Sequence, residues 1–168
     1  MTMGARLAVA VVFVAAIAAA RQGHGRLHEH VKPVGNGTGT GKCHYQLDVR
    51  TEDVFLAGTD STIYFDLYSK DNAVISTSMY GFQDSTTFER GTTTTIPLDT
   101  WCIRPCRLNI TLDDLVSFAS WRCESVRVFV SGDVKADVTF DVRKWIGPEE
   151  GDDGMTVTVD NCGGKPAS

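Results

Sequence analysis

The stretch Tyr45-Gln46-Leu47-Asp48-Val49-Arg50 decides the fold class. Tyr45, Leu47 and Val49 fall on one side of an extended chain, and Gln46, Asp48 and Arg50 fall on the other. A period of two is the mark of a strand with one buried and one wet face. The pattern recurs outward along the chain. Ile63, Phe65 and Leu67 alternate with Tyr64, Asp66 and Tyr68. Leu108, Ile110 and Leu112 alternate with Asn109 and Thr111. Val126, Val128 and Val130, then Val138, Phe140 and Val142, and finally Met155, Val157 and Val159 repeat it. A short run at residues 74–76 and the β-branched stretch 92–98 add two more strands. Turn-forming clusters separate them: Ala57-Gly58-Thr59-Asp60, Lys70-Asp71-Asn72, Gly132-Asp133, Gly147-Pro148 and Asp153-Gly154. Helical spacing is nearly absent, and only residues 113–120 suggest a helical turn. About eight short strands of this texture predict an all-β, antiparallel, two-sheet β-sandwich.

The flanks read differently. Residues 1–6 carry one positive charge, and residues 7–20 form an uncharged apolar run ending in Ala18-Ala19-Ala20. The run is shorter than the roughly 20 residues of a spanning helix and has the anatomy of a signal peptide cleaved near Ala20. Residues 21–42 are rich in Gly and His and poor in large apolar side chains, which predicts a flexible linker with His24, His28 and His30 in a solvated tail. The sandwich is expected over 43–162, with a short tail over 163–168. The expected location is therefore the secretory pathway, in the endoplasmic reticulum or outside the cell.

The 168 residues carry a formal charge of -5. That argues against nucleic acid as a partner, since such proteins need a basic footprint. Five cysteines, Cys43, Cys102, Cys106, Cys123 and Cys162, suit an oxidising compartment, and an odd count leaves at least one outside intramolecular pairs. Their spacing fits no zinc module. Asn36-Gly37-Thr38 and Asn109-Ile110-Thr111 are acceptor sequences for N-glycans, and a glycan on Asn109 would point away from the apolar face. Catalysis finds little support. His44 is the one histidine in the expected sandwich and lies beside Cys43, while nucleophile-elbow, phosphate-loop and metalloprotease motifs are missing.

Several short motifs follow one another in a familiar order. Cys43-x-Tyr45, Arg50-Thr51, Ala57-Gly58-Thr59-Asp60-Ser61 and Lys70-Asp71 come first. Phe88-Glu89-Arg90-Gly91, Cys102 and Cys106 before Leu108-Asn109-Ile110-Thr111, Trp121, Phe140-x-Val142 before Trp145-Ile146, and Asp160-Asn161-Cys162 complete the series. Over residues 43–162 the chain resembles the plant PLAT (polycystin, lipoxygenase, alpha-toxin; lipoxygenase-homology) domain, above all the small secreted stress-associated proteins with a lone PLAT domain. It departs from them in a short 75–88 stretch, in Cys123, and in lacking a cysteine near Ala136.

The resemblance implies an eight-stranded sandwich with a non-catalytic role, docking on lipid, membrane or protein. No cofactor is required, although calcium is a possible ligand in this family. It implies neighbouring first and last strands and hence a Cys43–Cys162 bridge; Cys123 is then expected to pair with Cys102 or Cys106. Calcium wants several converging oxygens, and Glu52, Asp53 and Asp60 are the expected set. Aromatic residues beside basic ones suit an interfacial anchor, which selects Trp101, Arg143, Lys144 and Trp145 for membrane or partner contact. Trp121 is expected in the core. The alternative is a secreted protein-interaction or structural factor without lipid binding, linked as a dimer through the odd cysteine.

Overall fold

The computed structural model describes residues 41–113, 120–149 and 151–163. The signal-peptide and linker expectations, Asn36, the three linker histidines and most of the 113–120 helical turn lie outside them. Eight strands are formed in the described residues: β1 (Lys42–Thr51), β2 (Thr62–Ser69), β3 (Val74–Tyr80), β4 (Thr93–Trp101), β5 (Pro105–Asp113), β6 (Trp121–Gly132), β7 (Ala136–Ile146) and β8 (Thr156–Asp160). A single 3-10 turn, Gly81–Gln83, follows β3. One sheet has the order β4-β1-β6-β7 and the other β3-β2-β5-β8, with every pairing antiparallel. The expected eight-stranded sandwich is what the chain forms.

The alternating side chains meet between the sheets. Leu47, Val49, Val126, Val128 and Phe140 come from one sheet, and Ile63, Phe65, Leu67, Leu108 and Ile110 from the other; all are buried. Fully burying each such side chain stabilises by about 1.5–3 kcal/mol relative to leaving it exposed. Trp121 is in the core, as expected, and its indole Nε1 donates to the buried Thr51 hydroxyl at 3.0 Å. It reaches the interior because β6 carries an irregularity between Cys123 and Ser125. The even positions from Val126 onward face inward, and before Glu124 the odd positions Trp121 and Cys123 do so instead. Phe88, which belongs to no strand, fills the space between Phe65 and Trp121 at ring separations of 6.4 and 5.4 Å.

The cysteines pair differently from the expectation. Cys43 bonds Cys102, and Cys106 bonds Cys162. A Cys43–Cys162 bridge is ruled out by sheet topology: β1 lies between β4 and β6, whereas β8 lies beside β5 in the other sheet. Each bridge instead links neighbours within a sheet. Cys123 pairs with neither candidate; it is buried in the core as a free thiol. Burial, aided by the nearby charges of Glu124 and Glu52, pushes its pKa far up. The odd cysteine is therefore not presented for a disulfide-linked dimer.

The fold sorts the loops between two ends. Lys42 pairs with Trp101 and Arg50 with Thr93, so β1 spans the sandwich, roughly 30 Å at ~3.3 Å per residue. Both disulfides lie at the Lys42 end. The loops after β1, before β4 and after β7 lie at the other, and no covalent staple constrains them.

Candidate docking surface at one end of the sandwich

The loop after β1 is built around the backbone of Arg122. The Glu52 amide donates to the Arg122 carbonyl at 3.0 Å, and the Arg122 amide donates to the Ala57 carbonyl at 3.0 Å. Glu52 and Ala57 are thereby pinned to the edge of β6, and Ala57 is buried. The Ala57 amide closes a tight turn onto the Val54 carbonyl at 3.2 Å. What remains between the pins must project. Phe55 is 77% exposed, Leu56 is 70% exposed, and Val54 stands partly out beside them. Leu56 also takes a φ of 61°, a left-handed conformation that a branched side chain adopts only at a cost. An unfavourable backbone and three unburied hydrophobic side chains thus coincide in one turn, the kind of concentration found at functional sites.

Tyr80 joins this end from β3, beside Thr62 at the start of β2, and is also exposed. The following 3-10 turn presses directly against the loop: a Cβ on Gly81 would stand 2.5 Å from the Thr59 carbonyl oxygen. Val54, Phe55, Leu56, Tyr64 and Tyr80 are the exposed large hydrophobic residues among the described ones, and all five lie at or toward this end.

Beside the turn is a groove of about 810 Å³, with Phe55, Leu56 and Trp145 on its walls and Asp60, Glu89 and Glu149 around it. Trp145 is half-buried, and the Arg122 guanidinium lies 5.7 Å from its ring centre. The loop after β7 is folded back: the Gly147 amide donates to the Gly154 carbonyl and the Asp153 amide to that of Trp145. Asp152 caps it, accepting from the Ser120 hydroxyl and from the Glu149 amide.

The basic residues of this end are all engaged. Arg122 binds Glu52 at 2.6 Å, Arg90 binds Asp53 at 3.1 Å, Lys144 binds Asp153 at 2.6 Å and Arg143 binds Asp141 at 2.8 Å. The Asp141 carboxylate holds the Arg143 guanidinium above its usual pKa. Asp60, Glu89 and Glu149 make no ion pair among the described residues. At the far end the side chains without an ion pair include cations. Lys42, Lys70, Arg104 and Lys135 are the basic side chains without an ion pair among the described residues, and all four lie there.

The expected site residues divide accordingly. Trp145 lines the groove, and Arg143 and Lys144 lie close to it but are ion-paired. Trp101 is at the opposite end, beside Lys42, so the two tryptophans do not share a contact surface. Glu52, Asp53 and Asp60 share a loop without converging: the first two are bound to arginines, and no three His, Cys, Asp or Glu residues among those described are placed to hold a metal. Asn109 lies on the outer face of β5, where its Oδ1 accepts from the Thr158 hydroxyl at 2.9 Å. The Cys43–His44 neighbourhood holds no thiolate, because Cys43 is oxidised, and His44 bonds Asp99 at 2.6 Å instead.

Val54, Phe55 and Leu56 escaped the sequence reading. Their signal was available: three apolar residues in succession, out of phase with any alternation, between Asp53 and a Gly-containing turn.

Two four-stranded antiparallel sheets with exposed apolar loops gathered at one end define a β-sandwich whose candidate site is a surface. The family model for the PLAT/LH2 domain matches residues 45–159, and the chain belongs to that family. A coral 8R-lipoxygenase structure, described as calcium-activated through a C2-like domain, is similar with a TM-score of 0.54 and 16% identity, over 70% of this chain and 16% of that one. A calcium-dependent 11R-lipoxygenase gives 0.53 and 19%, over 70% and 17%. The alpha toxin of Clostridium absonum gives 0.52 and 20%, over 76% and 33%. These likenesses are of fold, and the chain spans about a sixth of the lipoxygenases and a third of the toxin. Comparison with curated proteins gave no match.

Proposed function

We propose that this PLAT chain is a non-catalytic docking module of the secretory pathway, which settles on a lipid or protein surface through the apolar end of its sandwich. The observation that carries the reading is the clustering of the exposed large hydrophobic residues there, on a turn pinned by Arg122. The two disulfides accord with an oxidising compartment. The resemblance to small secreted plant proteins with a lone PLAT domain supports a role in stress or development. Asn36 and Asn109 are its glycan acceptors. On Asn109 the Thr158 hydroxyl takes the amide oxygen and leaves the nitrogen for the sugar. Asn109→Gln should remove one endoglycosidase-sensitive mass step from the secreted chain; an unchanged ladder would remove that assignment.

A photo-crosslinking residue at position 55, compared with one at position 71 at the far end, tests the docking surface in secreting cells. Adducts to lipid or to protein from position 55 alone are expected. Equal yields from the two positions would refute the assignment. A parallel sedimentation with anionic and neutral vesicles, with and without calcium, reads the lipid component directly.

A further inference from the structure

Resting on that docking reading, we infer that the groove takes a short protein segment that is both basic and apolar. Charge is the first argument. An anionic headgroup plane is drawn to unpaired Lys and Arg side chains. At the groove end Arg90, Arg122, Arg143 and Lys144 are each held by a carboxylate, whereas Asp60, Glu89 and Glu149 are unpaired among the described residues. The unpaired cations Lys42, Lys70, Arg104 and Lys135 are at the opposite end. An anionic bilayer approaching the exposed Phe55 and Leu56 meets carboxylates; a cationic segment meets complementary charge. Shape is the second argument. A flat bilayer is matched by side chains that project alone, but here they flank a concavity of about 810 Å³ that also reaches Trp145. That volume suits a few inserted side chains of a peptide.

The recognition mode follows from these features. Apolar side chains of the segment enter between Phe55, Leu56 and Trp145. Its Lys or Arg residues stay outside, opposite Asp60, Glu89 and Glu149. Charge sets the rate and orientation of approach, and the apolar contact holds the complex.

The test uses the chain with both disulfides formed. The probes are a synthetic amphipathic peptide of leucine and lysine, its leucine–glutamate counterpart, and vesicles of neutral and of anionic lipid. The leucine–lysine peptide should bind, more weakly as salt rises. Asp60→Asn/Glu89→Gln/Glu149→Gln should weaken it about tenfold, and Phe55→Ser/Leu56→Ser should abolish it. Asp71→Asn/Asp99→Asn/Asp133→Asn, the same charge change at the far end, should leave it unchanged. Equal weakening by the far-end variant would mean diffuse attraction and overturn the proposal. So would binding of the leucine–glutamate peptide. Anionic vesicles that bind where the peptide does not, and release Phe55→Ser/Leu56→Ser, would overturn the peptide assignment and leave the docking surface standing. Vesicle binding lost on Lys42, Arg104 and Lys135 substitution instead would place a membrane at the basic end. If no probe distinguishes wild type from Phe55→Ser/Leu56→Ser, both readings fail.

Discussion

The Arg122 guanidinium lies 2.6 Å from the Glu52 carboxylate, and each side chain is only 25% exposed. The pair sits where the backbone of Arg122 grips both ends of the projecting turn, so the side-chain ion pair and the main-chain bonds reinforce one another. Arg122→Ala would leave Glu52 half-buried without its partner. The expected cost is about 2 kcal/mol, below that of breaking a fully buried pair because water still reaches both groups. Urea unfolding of Arg122→Ala, Glu52→Gln and the double variant measures it. The double variant should be more stable than Arg122→Ala, since it removes the orphaned charge. Additive losses would show that the pair does not couple.

Cys123 should be silent toward thiol reagents in the native protein. It is fully buried, and burial disfavours the thiolate that reacts. One thiol should titrate with Ellman's reagent in urea and almost none without it. The non-reducing gel should show a monomer for wild type and for Cys123→Ala alike. Rapid native labelling would contradict the packing of β6.

The strands were legible in the sequence because seven alternating or β-branched segments each wrote their buried face into every second residue. What alternation could not carry was anything dependent on register between distant segments. Whether Cys43 faces Cys102 or Cys162 depends on which sheet receives β8, and a period of two is silent on that. Phe88 was readable only as a motif residue. Its place between Phe65 and Trp121 depends on a left-handed φ of 53° and an amide that donates to Thr94. The groove draws on residues from positions 55 to 152, so only folding assembles it. The ion pairs that engage Glu52 with Arg122 and Asp53 with Arg90 are likewise tertiary.

The two disulfides close loops of similar length, with sequence separations of 59 and 56. In the chain-entropy model each should stabilise by about 4 kcal/mol, chiefly by restricting the unfolded chain. Cys43→Ala/Cys102→Ala and Cys106→Ala/Cys162→Ala should therefore each lower stability by a comparable amount. Non-reducing peptide mapping should recover Cys43 with Cys102 and Cys106 with Cys162. A peptide joining Cys43 to Cys162 would contradict the sheet order itself.

Asp84 provides a pH-dependent contribution with a defined sign. Its Oδ1 accepts from the Thr86 amide at 2.8 Å, the Thr86 hydroxyl at 2.7 Å and the Thr87 hydroxyl at 3.0 Å. These bonds, the Thr86 hydroxyl foremost, favour the carboxylate and hold its pKa below the ordinary value. The folded state therefore binds this proton less readily than the unfolded state does. The resulting stabilisation is present above the unfolded pKa of about 4 and is lost as pH falls through the lower folded value. Asp84→Asn keeps an oxygen acceptor but removes the charge. The variant should melt below wild type at neutral pH, and the two curves should converge as the acid limb is descended. A Tm difference that stays constant down that limb would mean that the charge on Asp84 contributes nothing to holding the loop that delivers Phe88 to the core.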